Sequence, residues 1–590
     1  MYTVTGNDYI SLPQITADGA LQSVSFLSKS ARGLFSLSGS PFLRTFVKHG
    51  AELTPTQTQE EKLAFWIPHF TKRFDDGVAT QTIVTPIDGK GFVIRLRYDN
   101  TSDKTQEITL GFDGNWENAT REINSSEILF GKKTFSIGWH EAPMYALNGV
   151  LPLFCFSLLC DQKTQNDFSC DGETARYTLQ KTFLLQAGER AELTLAVGFG
   201  MDGVSAVTTA LDFLRHGFSA IFQATCLFLQ ARTRQTDNPR ANFAINYNTF
   251  FCYFFAMGKT LDSEEFVCVT SRSPRYYVSA AYWDRDALLW AFPAILAVDE
   301  PRAKDMLTYA FTTQLRNVGE HSRFIDGTLL EPGFELDELC APLIALCQYC
   351  EKTGVPLWKR APYSDGVSQI LAKLERKKHA HLPLYQTFLY PSDDMRKYPY
   401  LTYDNALTAY AIKQLGSLLR DPNLLTWSEK IQRALLDNAI TSQNGKRLFT
   451  WSFDLQGNFE LYDEPPGSLV LLAHLGICEK TDEVYQNTVA WLYSEEYPYG
   501  FLSAPFSQLG CAHAKHPWTL SYCNAVLAEI ATKSDIEQML TMRMDAGLVC
   551  ESIDEQTGVV TTGEAFATCA GFFAHALSIA FHAQRIPGYG

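Results

Sequence analysis

The sequence has 590 residues, a net charge of −15 and a pI near 5.3. This length exceeds what one ordinary hydrophobic core can organise, so at least two domains are expected. The composition, 46% hydrophobic and 19% charged, excludes a disordered chain. Because phosphate binding relies on clustered Lys and Arg, and no extended basic run is present, the acidic balance argues against nucleic acid as a partner and favours a neutral ligand such as a sugar.

The sequence predicts a soluble, cytoplasmic protein with no membrane partner. Residues 1–8 lack the basic segment and apolar run of a secretory signal. The longest apolar stretch, 287–298, is well below the roughly 18 residues of a membrane span and contains Pro293. The fourteen Cys residues are scattered, mostly in apolar surroundings, and are expected to be reduced core thiols. The oligomeric state stays open.

The first 200 residues show the two-residue period of β-strands. Segments 92–98 and 107–112 alternate apolar and polar residues on either side of the turn-rich segment 99–103. The same pattern returns at 176–200, broken at Gly188. Residues 1–200 are therefore predicted to form an antiparallel β-sandwich domain.

After Gly200 the period becomes helical. Residues 201–238 predict a helical linker, and residues 239–590 predict consecutive helices. The candidate helices are 239–257, 284–298, 301–317, 335–353, 404–420, 422–439, 481–494, 516–531 and 564–584. Long connections at 318–334, 380–403, 442–466 and 497–516 are of the kind that carry function. The predicted fold class is a multidomain chain, an N-terminal antiparallel β-sandwich followed by an all-α (α/α)6 barrel that gathers these loops at one end.

Four segments hold candidate functional residues, and each has a structural alternative. Segment 282–286, YWDRD, opens a helix, where Asp284 or Asp286 would cap the helix or where Arg285 and Asp286 would bind sugar hydroxyls. Segment 390–394, YPSDD, is either a solvated turn or a pair of carboxylates among aromatics, a setting that raises a pKa as a general acid requires.

The other two segments are also acidic. Segment 462–468, YDEPPGS, is either an ordinary turn or the wall of a polar pocket, held stiffly by two prolines. Glu551 lies in a short apolar run, so its carboxylate is either paired with a buried Arg or left facing a cavity to activate water.

In this order the segments resemble the metal-independent exo-α-1,6-mannosidases of glycoside hydrolase family 125 (GH125), within the (α/α)6 barrel glycosidases. The resemblance covers about residues 275–585. The motifs that carry it are Arg285-Asp286, Pro391 to Asp394, Asp463 through Ser468-Leu469 to Leu475-Gly476, Gly510 to His513 with Trp518, and Glu551-Ser552.

The resemblance implies an inverting exo-acting hydrolase of α-linked sugars, with α-mannosides as the expected substrates, that needs no metal and no cofactor. Asp393, or alternatively Asp394, would protonate the leaving oxygen, and Glu551 would activate water across a gap of roughly 6.5–9.5 Å. The partner would be an oligosaccharide or glycoside. The residues expected to bind it are Trp283, Arg285, Asp286, Tyr390, Asp463, Glu464, His513 and Trp518.

The sequence also departs from the family pattern. Tyr390 stands where the family has Arg, Cys550 where it has His, and segment 563–566 replaces an aromatic-rich helix opening. The additional N-terminal sandwich is similar to that of glucoamylase-like and debranching enzymes. The alternatives are therefore a glucoamylase-like α-glucosidase and a non-catalytic carbohydrate-binding protein. A phosphorylase would need a basic pocket, and none is evident near Glu551.

Overall fold

The computed structural model describes residues 2–149 and 153–585. Two antiparallel β-sheets form the N-terminal domain, and a helical domain follows. The structure confirms the predicted fold class.

The first sheet has ten strands within the described residues. They are Thr3–Gly6, Ile10–Ile15, Leu21–Ser28, Gly33–His49, Ala51–Glu52, Gln106–Trp116, Asn118–Glu122, Ser126–Ile128, Gln165–Cys170 and Ala175–Leu185. The second sheet has eight in the same part of the chain. They are Gln57–Leu63, Ile67–Phe74, Gly77–Val84, Gly91–Asn100, Lys132–Ile137, Pro143–Asn148, Cys155–Cys160 and Arg190–Gly200.

The two sheets pack face to face through aromatic side chains. The ring of Phe26 in the first sheet lies 6.1 Å from that of Phe199 in the second, and Phe42 lies 5.7 Å from Phe156. Strand Gly91–Asn100 shows why the sequence alternates, because Phe92, Ile94, Leu96 and Tyr98 are buried in this core whereas the intervening Arg95 and Arg97 are partly exposed.

Two helices connect the domains, α1 (Gly203–His216) and α2 (Phe218–Arg232). Asp202 caps α1 by accepting a 2.7 Å hydrogen bond from the Ser205 N–H. Gly217 separates the helices at φ 78°, a left-handed conformation that glycine adopts without steric cost.

The helical domain is a double ring. Its helices are α3 (Pro239–Phe255), α4 (Phe292–Val298), α5 (Glu300–Tyr309), α6 (Leu336–Thr353), α7 (Tyr363–Lys377), α8 (Thr402–Leu419), α9 (Pro422–Asn438), α10 (Glu483–Leu492), α11 (Thr519–Leu527), α12 (Lys533–Thr541) and α13 (Ala567–Ala580). A wider π-helical turn, Arg285–Ala291, leads into α4, and a single 3-10 turn, Leu469–Leu471, precedes α10.

Contacts between the helices close the inner ring. The π-turn with α4 packs on α6, α6 on α8, α8 on the turn at 469–471, that turn on α11, α11 on α13, and α13 on the π-turn again. Helices α5, α7, α9, α10, α12 and α3 lie outside as their partners, which gives the (α/α)6 arrangement. Inner helices are buried almost all round, as α6 and α13 show, whereas outer helices such as α7 and α9 bury one face.

The sandwich packs closely on the barrel. Arg302 of α5 donates to both carboxylate oxygens of Asp8 at 2.8 Å, and the Trp66 ring stacks on Phe254 of α3 at 5.5 Å. Each of the fourteen cysteines is a free thiol. Among the described helices, none combines the length and the apolar character that crossing a bilayer requires.

Candidate active site

A cavity opens where the inner helices begin. The residues before the π-turn, before α11 and before α13 all reach it, so it lies at the N-terminal end of the inner ring. Four aromatic residues that the sequence analysis did not single out, Tyr276, Tyr277, Trp290 and Phe566, contribute to its wall. The predicted site residues that line it are Trp283, Arg285, Asp286, Asp393, His513, Trp518 and Glu551.

Glu551 presents a buried carboxylate to the cavity, with 2% of the residue exposed. Oε2 accepts a 2.6 Å hydrogen bond from the Tyr277 hydroxyl, and Oε1 accepts one of 3.1 Å from the Thr562 hydroxyl. Burial raises the pKa of Glu551, and the Tyr277 and Thr562 hydrogen bonds oppose that rise because they stabilise the charged form. A carboxylate held this way is suited to accept a proton from water.

Asp393 lies on a tight turn of the loop at 390–394. Its N–H donates to the Tyr390 carbonyl at 2.8 Å, and its φ of 68° is in the left-handed region that non-glycine residues rarely adopt. The turn leaves 37% of the Asp393 side chain accessible, and Asp393 lines the cavity. Burial within the protein raises the pKa of Asp393 to about 6, although Arg285, 3.1 Å away, acts against the rise.

His513 lies between the two acidic segments. Its Nδ1 is 3.2 Å from Oδ1 of Asp394, and its Nε2 is 3.9 Å from Oε1 of Glu551. One imidazole ring thus separates the Asp394 and Glu551 carboxylates. Asp394 is not among the lining residues, whereas the neighbouring Asp393 is, so the cavity brings Asp393 and Glu551 together.

Arg285 is held by acceptors of the protein. Its Nε donates to Asp337 at 2.6 Å and its Nη2 to Glu335 at 2.8 Å, whereas Nη1 donates to the Pro391 carbonyl at 2.8 Å as well as to Asp393. This guanidinium therefore fixes the Asp393 loop against the start of α6. Its direct contact with a sugar stays a prediction.

The same guanidinium lies within an acidic cluster at the border of the cavity. His321, Glu335 and Asp393 are close enough together to share a cation. Arg285 already donates to the two carboxylates of that group, so its positive charge is present where a metal would bind. This cluster therefore has a cationic partner within the protein, and metal independence stays a prediction.

The other predicted residues that line the cavity are Asp286, Trp283 and Trp518. Asp286 accepts a 2.7 Å hydrogen bond from the Thr568 hydroxyl, and burial raises its pKa to about 7. The Trp283 indole Nε1 is buried and has no acceptor in the described part of the protein, so it is available to a ligand hydroxyl. The Trp518 indole instead donates to the Ala514 carbonyl at 2.9 Å, and its ring lies 6.0 Å from that of His513.

Besides Asp394, three further predicted residues lie outside the cavity lining. The Tyr390 hydroxyl bonds with Ser452 at 3.1 Å and with Glu460, which anchors the Asp393 loop. Asp463 accepts hydrogen bonds from the Ser468 hydroxyl at 2.6 Å and the Leu469 N–H at 2.7 Å, so it caps the turn at 469–471. Substrate contacts by Tyr390 and Asp463 remain predictions.

Glu464, the third, is 1% exposed, and neither of its carboxylate oxygens has a hydrogen-bond partner among the described residues. Burial raises the pKa of Glu464 to about 8, and the charge of Asp394 adds to the rise. This side chain is therefore largely protonated at neutral pH, and its predicted role in substrate binding is untested.

The sequence analysis missed the groups that hold the catalytic candidates in place. Tyr277, Thr562 and Thr568 donate to the site carboxylates, and Glu335 and Asp337 hold Arg285. The acidic run at 335–338, ELDE, at the start of a predicted helix was a readable signal, because buried carboxylates at that position need a cationic partner. No local pattern pointed to the hydroxyl donors.

The family model for metal-independent α-mannosidases, GH125, matches residues 378–578. The Meiotically up-regulated gene 157 protein of Schizosaccharomyces pombe is 24% identical over 228 residues, which are 35% of this chain and 44% of that protein. The chain thus aligns with less than half of this relative.

Two solved structures are similar in fold. A metal-independent α-mannosidase from Streptococcus pneumoniae, in a non-productive complex with α-1,6-mannobiose, matches 59% of this chain and 95% of its own with a TM-score of 0.52 and 18% identity. A bacterial glucoamylase complexed with acarbose matches 98% of this chain and 94% of its own with a TM-score of 0.66 and 12% identity.

The two structures match different lengths of the chain. The mannosidase corresponds to little more than half of the chain, whereas the glucoamylase extends over nearly all of it. Both identities are below 25%, so these two similarities bear on the fold. The chain therefore has an (α/α)6 barrel behind an N-terminal β-sandwich, and residues 378–578 of that barrel match the GH125 family model.

Proposed function

We propose that this protein is an inverting, exo-acting glycoside hydrolase that cleaves α-linked sugars, with α-mannosides as its substrates and no metal in the reaction. The observation that carries the proposal is the meeting of Asp393 and Glu551 in the lining of one cavity. Aromatic rings line this cavity beside the two carboxylates, a setting that suits the terminal unit of a saccharide.

In the proposed mechanism Asp393 is the general acid. Its raised pKa, about 6, keeps part of the protein in the protonated form near neutral pH, and Arg285 fixes the carboxyl in position. Asp393 donates its proton to the glycosidic oxygen as the bond between that oxygen and the anomeric carbon breaks.

Glu551 is the general base in the same step. It removes a proton from a water molecule that attacks the anomeric carbon from the opposite face, so the product has the inverted configuration. The hydrogen bond from Tyr277 favours the carboxylate form of Glu551 that this role needs. Trp283 offers its free indole N–H to the sugar, and His513 lies between the two acidic segments.

The fit of the GH125 family model to the segment that contains Asp393 and Glu551 favours mannose over glucose. The glucoamylase-like α-glucosidase is the second candidate, since that fold extends over both domains. The free cysteines support work in a reducing compartment, and we propose the cytoplasm.

A panel of disaccharides tests the proposal. Wild-type protein is incubated with α-1,2-, α-1,3- and α-1,6-mannobiose, maltose and isomaltose, and released hexose is measured beside the Glu551→Gln variant as a matched control. We expect hexose from at least one mannobiose and none with the variant. If hexose were released only from maltose or isomaltose, the mannosidase proposal would be contradicted and the α-glucosidase would take its place. Oligosaccharide binding without release from any substrate would leave a non-catalytic binding protein.

A further inference from the structure

A second groove lies behind the loop that carries Asp393. Phe388 and Arg396 of this loop face the groove, whereas Ser392 and Asp393 face the catalytic cavity. The Phe388 N–H donates to the Phe334 carbonyl at 2.8 Å. This bond ties the loop to the hairpin of strands Glu320–Arg323 and Leu329–Phe334. One loop therefore forms a wall of both sites. The groove is lined by Phe334, Lys377, Lys378, His379, Gln386, Thr387, Phe388, Arg396 and Tyr400.

The groove is basic on a strongly acidic protein. Lys377, Lys378 and Arg396 line it, and no carboxylate does so in the described part of the chain. Lys378 pairs with Glu375 one turn earlier on α7. Lys377 lies over the Phe334 ring at 4.5 Å, and neither it nor Arg396 has a carboxylate partner among residues 2–149 and 153–585. Two cations thus remain uncompensated.

The positive surface extends beyond this groove. An adjoining groove shares Lys378 and His379 and adds His381, Lys430 and Trp427, with Glu375 as the acidic residue on its wall. Glu320, which lies opposite Phe334 in the neighbouring hairpin, is paired with Lys373. On a chain with a net charge of −15, such a local concentration of cations attracts an anion.

The remaining lining side chains favour a sugar as the body of that anion. Phe388 is 39% exposed and offers an apolar ring face. Thr387 and Gln386 bring polar groups beside it, and the Gln386 amide donates to the Tyr400 hydroxyl at 3.1 Å. Cations alone would suffice for an inorganic ion, whereas a ring face next to hydrogen-bonding groups is the usual surface for a saccharide.

We propose that this groove binds a phosphorylated sugar, with the phosphate on Lys377 and Arg396 and the ring against Phe388. Arg396 supplies a planar set of donors for phosphate oxygens, and Lys377 adds a mobile charge. The groove is a binding site separate from the catalytic cavity, and occupancy of it does not depend on hydrolysis.

Titration calorimetry tests the proposal with four probes, mannose 6-phosphate, inorganic phosphate, adenosine monophosphate and unmodified mannose. The proteins are wild type, a Lys377→Ala/Arg396→Ala variant, a Glu551→Gln variant and a charge-matched control, Lys163→Ala/Arg433→Ala, whose two side chains are exposed and lie outside both grooves. We expect mannose 6-phosphate to bind wild type at least about tenfold more tightly than any other probe, and the groove variant to lose about tenfold or more.

We also expect the control and Glu551→Gln variants to bind mannose 6-phosphate as wild type does. The proposal is overturned if mannose binds as tightly as its phosphate, or if inorganic phosphate or the nucleotide matches it. An equal loss in the control variant would also overturn it. These titrations measure binding and no turnover. If the protein bound the probes in this pattern but released no hexose, the proposed groove would stand and only the proposed hydrolase function would be contradicted.

Discussion

The hydroxyl of Tyr277 lies 2.6 Å from Oε2 of Glu551 and donates a hydrogen bond to it. The two residues are 274 positions apart in the sequence and meet at the wall of one cavity. Burial favours the protonated form of Glu551, and this hydrogen bond opposes it. The contact with Tyr277 therefore favours the charged form of the proposed base.

Replacing Tyr277 by Phe removes that hydrogen bond and should raise the pKa of Glu551. A base works as the carboxylate, so activity is present above its pKa and is lost as the pH falls through it. The acidic limb of kcat/KM should therefore move to higher pH, and kcat should fall by about tenfold. The pH profile of Tyr410→Phe, which alters a tyrosine outside the cavity lining, is the control. An unmoved acidic limb would show that Tyr277 does not act through Glu551.

Asparagine variants should separate Asp393 from Asp394. Asp393→Asn is expected to lower kcat/KM on a disaccharide by about 10²–10⁴-fold, the range for loss of a general acid, and Asp394→Asn by much less. A 4-nitrophenyl glycoside has a leaving group that needs no proton, so it should restore much of the rate of Asp393→Asn and none of Glu551→Gln. Restoration in Asp394→Asn instead would transfer the acid role to Asp394.

Loss of Arg285 should destabilise the barrel as well as inactivate it. Arg285 is buried among Glu335, Asp337 and Asp393, and its removal leaves these carboxylates uncompensated. Arg285→Ala is expected to lower the free energy of unfolding by about 3–5 kcal/mol, measured by urea denaturation. Arg433→Ala, at an exposed position on α9, should change it little. Equal stability of the two variants would mean that the cluster is not held by Arg285.

Glu464 should make stability depend on pH. In the unfolded chain its carboxyl ionises near its ordinary pKa, whereas in the folded protein burial raises the pKa to about 8. Between these values the unfolded state has released the proton and the folded state has not, so this group lowers stability as the pH rises. Glu464→Gln should raise Tm by about 2 °C or more at pH 8 and little at pH 5. Glu483→Gln, at an exposed position, is the control; a pH-independent shift would contradict the assignment.

Chelation should leave activity unchanged. Arg285 supplies the positive charge between Glu335 and Asp393, so neither needs an ion. We expect the same kcat/KM after dialysis against EDTA and after addition of Ca²⁺, Mg²⁺ or Zn²⁺. A loss on dialysis that one of these ions reverses would contradict the proposed metal independence.

The helices that the sequence predicted best are those with strong local signals. The prediction 422–439 agrees with Pro422–Asn438, because Asp421 caps the helix and proline occupies its first turn. The prediction missed α7, which contains Gly366, and α12, which has only nine residues. The fourth inner helix is reduced to a 3-10 turn at 469–471, and a helical period cannot show in so short a segment.

The sequence predicted which segments form the site, but not the contacts between their side chains. The loop 390–394 and Glu551 were recognisable because acidic residues stood among aromatic or apolar neighbours. The anchoring of Tyr390 by Ser452 and Glu460, and the burial of Glu464 without a partner, depend on contacts between distant segments. Such contacts decide whether a side chain faces the cavity, and no local spacing encodes them.

The configuration of the released sugar tests the pairing of Asp393 and Glu551 most directly. Proton NMR can follow the first minutes of hydrolysis of the best α-linked substrate, before the anomers of the product interconvert. If Glu551 delivers water to the face opposite the bond that Asp393 protonates, the β-anomer must appear first. First appearance of the α-anomer would mean retention of configuration and would contradict the acid and base roles assigned to these two carboxylates.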